Sequence, residues 1–429
     1  MTQTRAGQVV AQGGFTRGDV ARARADTPGC AKVVHLNNAG ASLMPRQVLD
    51  ASVRHLHLEA GMGGYEAAAH AAEDIESVYG SAARLLGCDR DEIALVDNAT
   101  RAWGMAFYGI PFRPGDRILT STVEYASNFI AYLQIAERTG ARVEVVPDDE
   151  HGQISVDALR AAMDERVRLI SVTHVPTNGG LVNPAAEVGK VARETGALYL
   201  LDACQSVGQL DVDVREIGCD MLSTTGRKYL RGPRGTGLLY VRRDVLDRLV
   251  PPTLDLHSAT WTAADRYDIR PDARRFETWE ANYAARLGLG AAIDHALGWG
   301  LPRIQARVTQ LAETLREQLG EVPGITVRDL GVRRCGITTF TLDGVAPDNI
   351  KSAMAAQGIN VSVSRTASTR LDMDARGLAE VVRASVHYYN TEEEIAALVS
   401  AVRNCSCSGP GTAAGAGTGA HGGKLASVR

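Results

Sequence analysis

Three polar side chains directly follow apolar runs of strand length, and together they could perform acid–base and amine chemistry. Asp202 ends the run ALYLL, His174 ends LISVT, and Lys228 follows DMLS after a short polar stretch. A carboxylate can hold a proton, an imidazole can exchange one near neutral pH, and a neutral amine can attack a carbonyl carbon. Taken singly, the aspartate could equally cap a helix, and the lysine could lie on the solvated surface.

The loop that carries Lys228 is rich in glycine. Gly226 precedes the lysine, and the run Gly232-Pro-Arg-Gly235-Thr-Gly237 follows it. Glycine and proline disfavour a regular helix, so we expect a shaped loop that holds the lysine in place. Ligands of parallel sheets bind beyond the carboxyl ends of the strands, where the three polar residues would meet. The sequence therefore predicts a ligand site at that edge of a sheet.

The elements that must position these residues alternate along the chain. Apolar runs of strand length are separated by helical stretches such as 156–164 and 185–194. A run such as LYLLD is apolar at consecutive positions, which is typical of a strand buried on both faces of a mainly parallel sheet. The pattern predicts an α/β domain. The predicted strands lie at 117–121, 142–146, 168–175, 197–202, 220–223 and 237–241.

A second, smaller domain is predicted after the sheet region. Two long helical patterns, 283–298 and 301–319, precede shorter strands near 336–342, 359–364 and 381–386, which favours an α+β domain. From residue 406 onward the chain is dominated by glycine, alanine and serine, so it is expected to be disordered. The predicted division is an N-terminal arm at 1–34, a large domain at 35–298, a small domain at 299–405 and a tail at 406–429.

Composition narrows the classes of function. The 429 residues carry a formal net charge of −4, which leaves no overall basic field for nucleic acid. No apolar run reaches the roughly 18 to 20 residues of a membrane helix, and the first residues lack the long apolar stretch that is typical of a secretory signal. The seven cysteines favour free thiols in a reducing compartment, without ligand spacing for a metal. We expect a cytoplasmic protein with neither nucleic-acid nor membrane partners.

Several motifs in a fixed order carry a resemblance to a known family. The chain resembles the class V aminotransferases, fold-type I pyridoxal-phosphate enzymes that include cysteine desulfurases, selenocysteine lyases, cystine C–S lyases, kynureninase and isopenicillin N epimerase. The likeness runs from His35 to Glu394. Its motifs are Asn98-Ala99-Thr100, Glu124-Tyr125-Ala126-Ser127-Asn128, Thr173-His174-Val175-Pro176-Thr177-Asn178-Gly179-Gly180, Asp202-Ala203-Cys204-Gln205 and Thr225-Gly226-Arg227-Lys228.

The resemblance implies a role for each residue around the ring of pyridoxal 5'-phosphate. Lys228 matches the lysine that forms a Schiff base with the cofactor aldehyde, and Asp202 matches the carboxylate paired with the pyridinium nitrogen. Gln205 would hydrogen bond the ring hydroxyl oxygen. Tyr125 would stack on the ring where desulfurases carry a histidine, unless it is a core or interface residue. His174 would orient substrate or cofactor, or serve only as a buried structural histidine.

The same resemblance assigns the cofactor phosphate and a further contact. Ala99 and Thr100, at the start of a predicted helix, match the first phosphate loop, and Thr225 and Arg227 match the second. Arg227 replaces the usual histidine with a permanent charge and a two-pronged donor. Thr177 is also assigned to the cofactor.

Arginines and an aromatic segment complete the implied site. Arg383 matches the arginine that grips the substrate α-carboxylate. Arg365 would read a second acidic group from the loop SRTASTR, although it and Arg370 could equally be solvated. The family places its sites at a dimer interface, so we expect a homodimer with an amino acid as substrate. The family also takes phosphate contacts from the neighbouring subunit through a segment like Phe276-Glu277-Thr278-Trp279-Glu280, and whether Thr278 reaches that phosphate stays open.

The reaction is predicted from an absence. Desulfurases carry a nucleophilic cysteine before the substrate arginine, but residues 360–382 contain none. This favours a C–S lyase without a desulfurase-type catalytic cysteine, in which Lys228 removes the α proton, a β sulfur substituent leaves, and pyruvate and ammonia form. An aminotransferase or an amino-acid epimerase is the alternative, and a non-enzymatic regulator would need loss of Lys228 or Asp202.

Overall fold

The computed structural model describes residues 14–407. The remaining parts of the predicted arm (1–13) and tail (408–429) lie outside the described residues. The helices are α1 (Arg17–Ala25), α2 (Arg46–Met62), α3 (Gly64–His70), α4 (Ala72–Leu86), α5 (Ala99–Phe107), α6 (Ala126–Thr139), α7 (Val156–Ala161), α8 (Ala185–Thr195), α9 (Val214–Ile217), α10 (Tyr283–Trp299), α11 (Leu301–Gly320), α12 (Pro347–Ala355), α13 (Arg370–Ala375) and α14 (Glu392–Cys407). The strands are β1 (Val34–His35), β2 (Ile93–Val96), β3 (Arg117–Ser121), β4 (Arg142–Val146), β5 (Val167–Thr173), β6 (Leu198–Asp202), β7 (Met221–Thr225), β8 (Gly237–Val241), β9 (Ala259–Ala263), β10 (Arg266–Ile269), β11 (Ile325–Val327), β12 (Ile337–Leu342), β13 (Ile359–Asn360), β14 (Ser362–Arg365) and β15 (Glu380–Ser385).

Seven strands form the large sheet in the order β2-β8-β7-β6-β5-β3-β4. The five strands from β7 to β4 are mutually parallel, and only β8 runs antiparallel to its neighbours β7 and β2. This confirms the predicted α/β domain with a mainly parallel sheet. Parallel strands need crossovers, and α6, α7 with its flanking turns, and α8 supply them between successive strands.

Consecutive residues of β6 pack on opposite faces of this sheet. Leu198 and Leu200 join one core with side chains of α5 and α6, whereas Tyr199 and Leu201 join the other core with side chains of α4 and α8. All four are buried. Because helices cover both faces, the strand needs apolar residues at every position, which explains the unbroken LYLLD run.

The second sheet lies in the C-terminal part, with β11, β12, β15 and β14 all antiparallel. Helices α11 and α12 pack against it, and α14 packs against both of these helices, whereas α10 packs against α2 and α4. Between α10 and α11 stands Gly300, at a φ of 85° that favours glycine. This packing supports the predicted domain boundary after residue 298, which remains a proposal. Helix α14 continues to Cys407, two residues into the predicted tail.

The described part of the N-terminal arm packs against the C-terminal part of the chain. Strand β1 pairs in parallel with β13. Arg24 of α1 forms an ion pair with Glu394 at 2.8 Å, and the ring of Phe15 stacks on that of Trp299 with centroids 5.2 Å apart. The first and last segments of the described chain are therefore held together. None of the helices within residues 14–407 is long and apolar enough to cross a membrane.

Candidate active site

The carboxyl edge of the large sheet borders a cavity of about 320 Å³. Strands β5, β6 and β7 end there at Thr173, Asp202 and Thr225, and Lys228 follows on the next turn. Neighbouring parallel strands bring their ends to one edge, so residues far apart in sequence share the cavity. Nine residues predicted to contact a cofactor line its wall: Ala99, Thr100, Tyr125, Thr177, Asp202, Gln205, Thr225, Arg227 and Lys228.

Asp202 has a fixed orientation in this wall. Its Oδ1 accepts a hydrogen bond from the backbone N–H of Cys204 at 2.9 Å, and its Oδ2 accepts one from Asn128 Nδ2 at 3.0 Å. The residue is only 6% exposed. A buried carboxylate held at both oxygens is suited to bind a protonated ring nitrogen, as the sequence predicts.

The amine of Lys228 lies in an environment that favours its neutral form. Loss of solvent around the ammonium group lowers the pKa of Lys228, and the charges of Arg227 and Arg383 lower it further. Asp202 and Cys204 act in the opposite direction and raise it. A neutral amine is the form that attacks an aldehyde or accepts a proton, so the site suits the predicted chemistry of this lysine.

One end of the cavity is suited to an anion. Asn98 caps α5, since its side-chain Oδ1 accepts a hydrogen bond from the N–H of Arg101 at 2.8 Å. The first residues of the helix, Ala99 and Thr100, line the cavity at the positive end of the helix dipole. Arg227 faces the same space and donates from Nη1 to Thr225 Oγ1 at 3.2 Å. These groups could hold a phosphate.

Gly237 lets the two halves of this anion-binding end approach each other. It begins β8 beside Asn98, and a Cβ at this position would lie 2.7 Å from the backbone carbon of Asn98. That distance is too short for an ordinary contact, so a larger residue would push the start of α5 away. The last glycine of the predicted loop is therefore explained by close backbone packing.

Polar atoms without partners occur in the same wall. Gln205 Nε2 donates to Ala39 O at 3.2 Å and to Thr177 Oγ1 at 3.4 Å, while its buried Oε1 has no partner. A buried acceptor without a partner is costly unless a ligand satisfies it. Tyr125 presents a partly exposed ring to the cavity from the turn before α6.

Arg383 lies behind Thr177, which separates it from the cavity. Its Nη1 donates to Thr177 O at 3.0 Å and to Thr177 Oγ1 at 2.7 Å, and its Nη2 donates to Asn37 Oδ1 at 3.4 Å. Its Nε is buried without a partner. Burial lowers the pKa of this guanidinium, so a carboxylate ligand would be stabilised strongly there. This placement supports the predicted grip on a substrate carboxylate.

His174 is placed on the other side of its strand end. Thr173 and Val175 line the cofactor cavity, but the His174 side chain lines a separate cavity of about 400 Å³ with Gln153 and Arg333. Alternate residues of an extended chain point to opposite sides, which accounts for this placement. Burial, with a smaller effect of Arg333, lowers the pKa of His174 to about 3. We therefore no longer assign it a catalytic role.

Arg365 is also placed away from the cavity. Its guanidinium forms ion pairs with Asp348 at 2.6 Å and Glu380 at 2.7 Å, and the side chain is exposed. These ion pairs occupy the guanidinium donors that a substrate carboxylate would need. The placement of Arg365 therefore does not support its predicted role in the substrate site. Arg370 is exposed as well and lies 3.5 Å from Asp374.

The lining residues without a predicted role include Asn128, Cys204 and Arg234. Asn128 lies in the quoted Glu124–Asn128 motif, and its spacing of one helical turn from Glu124 was a usable signal. Arg234 lies within the glycine-rich loop, where sequence alone gives no side-chain direction.

These residues fit one cofactor. An amine of lowered pKa, a fixed carboxylate, an unmet acceptor at Gln205 and an anion-binding helix end match the four groups of pyridoxal 5'-phosphate that proteins bind. The fold and the site together define the class, which is the fold-type I enzymes that depend on this cofactor.

Comparison with known proteins then gives the family. The family described as "Aminotransferase class-V" matches residues 34–398, and the chain belongs to it.

A probable cysteine desulfurase of Methanothermobacter thermautotrophicus is 33% identical over 380 residues, which cover 87% of this chain and 94% of the relative. A cysteine desulfurase of Salmonella agona is 31% identical, with 89% and 97% covered. The apo structure of a cysteine desulfurase from Thermococcus onnurineus superposes with a TM-score of 0.84 at 26% identity, covering 90% and 98%. The predicted family and cofactor are confirmed.

The predicted reaction is wrong. A C–S lyase without a desulfurase-type cysteine conflicts with relatives that are named cysteine desulfurases and match nearly the whole chain. The prediction rested on the absence of cysteine from residues 360–382. Sulfur transfer requires a thiol, but that thiol need not belong to this loop or even to this chain, so the absence did not justify another reaction.

Proposed function

We propose that the chain is a pyridoxal-phosphate-dependent cysteine desulfurase. Cysteine and a thiol RSH become alanine and the persulfide RSSH, so atoms and electrons balance without a further oxidant or reductant. The proposal depends above all on one observation: Lys228 and Asp202 line one cavity, and Arg383 donates hydrogen bonds to Thr177 in the wall of that cavity. It is supported by relatives at 30–33% identity that are named desulfurases.

Each of the three residues has a distinct task in this reaction. When bound, pyridoxal 5'-phosphate supplies an electron-accepting ring that stabilises charge at the substrate α carbon. Lys228 Nζ takes the α proton, and its lowered pKa favours the neutral amine that this step needs. Asp202 holds the proton of the ring nitrogen, and Arg383 binds the α-carboxylate through guanidinium N–H groups.

The acceptor thiol is expected to come from another molecule. Among the cysteines of the described chain, Cys204 lines the cavity, but burial raises its pKa well above the ordinary value. A thiol that stays protonated is a poor nucleophile toward sulfur. Since residues 360–382 also lack cysteine, an exogenous thiol is the chemically competent acceptor.

The test measures products of the holoenzyme with L-cysteine and a small thiol such as dithiothreitol. We expect alanine and sulfide in equal amounts, a rate that depends on added thiol, and full activity in Cys204→Ser. Lys228→Ala should abolish turnover, and Lys190→Ala, at an exposed lysine paired with Glu187, should not change it. Pyruvate and ammonia in place of alanine would contradict the proposal, and loss of activity in Cys204→Ser with cofactor retained would contradict the external acceptor.

The proposed enzyme is a cytoplasmic homodimer. Helix α2 exposes the apolar side chains of Leu49, Val53 and Leu56, which would be covered by a second copy. Trp279 is also exposed beside Thr278 in the segment predicted to face the neighbouring subunit. Light scattering should give twice the chain mass, and Leu56→Lys should shift the protein toward monomer. A monomer of full activity would contradict the shared site.

A further inference from the structure

A second carboxyl group lies buried behind Asp202. Glu124 follows β3 and is only 3% exposed. Its Oε1 accepts hydrogen bonds from Tyr125 N at 2.8 Å, from Asn128 Nδ2 at 2.9 Å and from Thr173 Oγ1. Its Oε2 accepts one from Thr120 Oγ1 at 3.0 Å. The carboxyl group is thus held at both oxygens, like that of Asp202.

Asn128 connects the two carboxyl groups. The same Nδ2 donates to Glu124 Oε1 at 2.9 Å and to Asp202 Oδ2 at 3.0 Å. An amide nitrogen carries two hydrogens, so both are used in this bridge. Asn128 is itself buried, which leaves no solvent to replace either bond. Any displacement of Glu124 therefore disturbs the carboxylate of Asp202.

No basic side chain of the described residues balances the charge of Glu124. Among the described residues, no lysine, arginine or histidine forms an ion pair with it. Burial, together with the charge of Asp202, raises the pKa of Glu124 to about 7 against the effect of its donors. The other titratable group facing it is Tyr132, whose own pKa is raised by burial. Four donors satisfy the oxygens of Glu124, but a buried carboxyl group without a basic partner still costs free energy, which is accounted for if the acid acts on the neighbouring Asp202.

We propose that Glu124 is a positioning residue for the cofactor ring nitrogen, which fixes the orientation of Asp202 through Asn128 and adds negative potential at the protonated ring. The ring proton lies at the far end of a chain formed by Glu124, Asn128 and Asp202. Low polarity around this chain strengthens each of its links. The inference depends on the cofactor of the family and not on the proposed substrate, so failure of the desulfurase assay would leave it standing.

The test compares Glu124→Gln with wild-type holoenzyme by two measurements that do not involve turnover. Loss of the negative charge should lower the pH midpoint of the visible cofactor absorption band by about one unit and weaken cofactor binding about tenfold. Glu92→Gln is the matched control. Glu92 is also buried and accepts N–H bonds from Asp89 and Arg243, but it does not line the cavity. It should alter the melting temperature alone.

A second variant tests the route and covers the case in which Glu124→Gln does not fold. Asn128→Ala should lower the same midpoint, and the double variant should add little to either single change, because both interrupt one chain. Additive shifts would contradict the route through Asn128. If Glu124→Gln folds and keeps both the wild-type pH midpoint and the wild-type cofactor affinity, the proposal is overturned. If only Asn128→Ala folds, the same result in that variant overturns it.

Discussion

Asp202 is oriented by the protein before any ligand binds, because both of its oxygens already accept hydrogen bonds. Preorganisation of this kind places charge where the ring nitrogen will lie. Asp202→Ala should fold but bind cofactor weakly and lose at least about a hundredfold in turnover, since an uncharged ring is a poor electron sink. Cofactor titration and steady-state rates provide the measurement. Near-normal turnover would contradict the role.

Arg383 offers a residue-scale test of substrate recognition. Its Nε is buried without a partner, and its other donors are held by Thr177 and Asn37. Arg383→Lys keeps a positive charge but loses the planar fork, so KM for cysteine should rise by roughly tenfold to a hundredfold while cofactor affinity stays the same. An unchanged KM, or an equal loss of cofactor affinity, would show that the arginine serves packing.

At the scale of elements, strands marked by an apolar run in the sequence were predictable, and short or exposed strands without such a run were not. The predicted bounds of β3, β4 and β8 match the structure. The hairpin of β9 and β10 exposes nearly all of its residues, including Trp261 and Tyr267, so no buried face marks it in the sequence. Strand β2 is a short edge strand after a charged turn, and such brevity gives little pattern.

The site followed the same rule. Residues at strand ends were predicted together because topology fixes where parallel strands end. The role predicted for His174 did not take account of strand alternation, which directs its side chain away from the cavity lined by Thr173 and Val175. Glu124 had no predicted role. It reaches the site only through Asn128 and Asp202, and a single sequence does not show such an indirect contact. Arg365 could not be judged without knowing its partners Asp348 and Glu380.

The contact between β8 and the start of α5 gives a prediction at the element scale. Gly237→Ala should force Asn98 to move and weaken binding of the cofactor phosphate about tenfold, with a lower melting temperature. Gly298→Ala in α10 is the matched control, because a Cβ there meets nothing within 4 Å and alanine favours a helix. Free inorganic phosphate or cofactor titration measures the binding. Equal behaviour of the two variants would refute the close-packing argument.

The whole molecule should lose stability in mild acid because it holds histidines in neutral form. His295 accepts a hydrogen bond from Trp299 Nε1 at 3.0 Å, and burial, aided by Arg231, lowers its pKa to about 4. The unfolded chain binds a proton near pH 6.5 and the folded chain does not, so this contribution to stability is lost as pH falls from about 6.5 toward 4. In His295→Gln the melting temperature should fall less over that range. Parallel curves for the two proteins would exclude His295 as a cause.

The contact between Asn37 and Arg383 joins positions 346 residues apart, and His35 of β1 pairs with Asn360, which lies 325 residues further along the chain. Synthesis proceeds from the N-terminus, so the contact between Asn37 and Arg383, and with it the predicted substrate grip, cannot form until residue 383 has left the ribosome. Closing such a long loop reduces the entropy of the chain before the contacts that stabilise it can form. Contacts between such distant residues therefore form slowly. The large sheet and its lysine can form earlier, because β2 to β8 lie within residues 93–241. A nascent chain would thus acquire its capacity for the cofactor before its capacity for the amino acid.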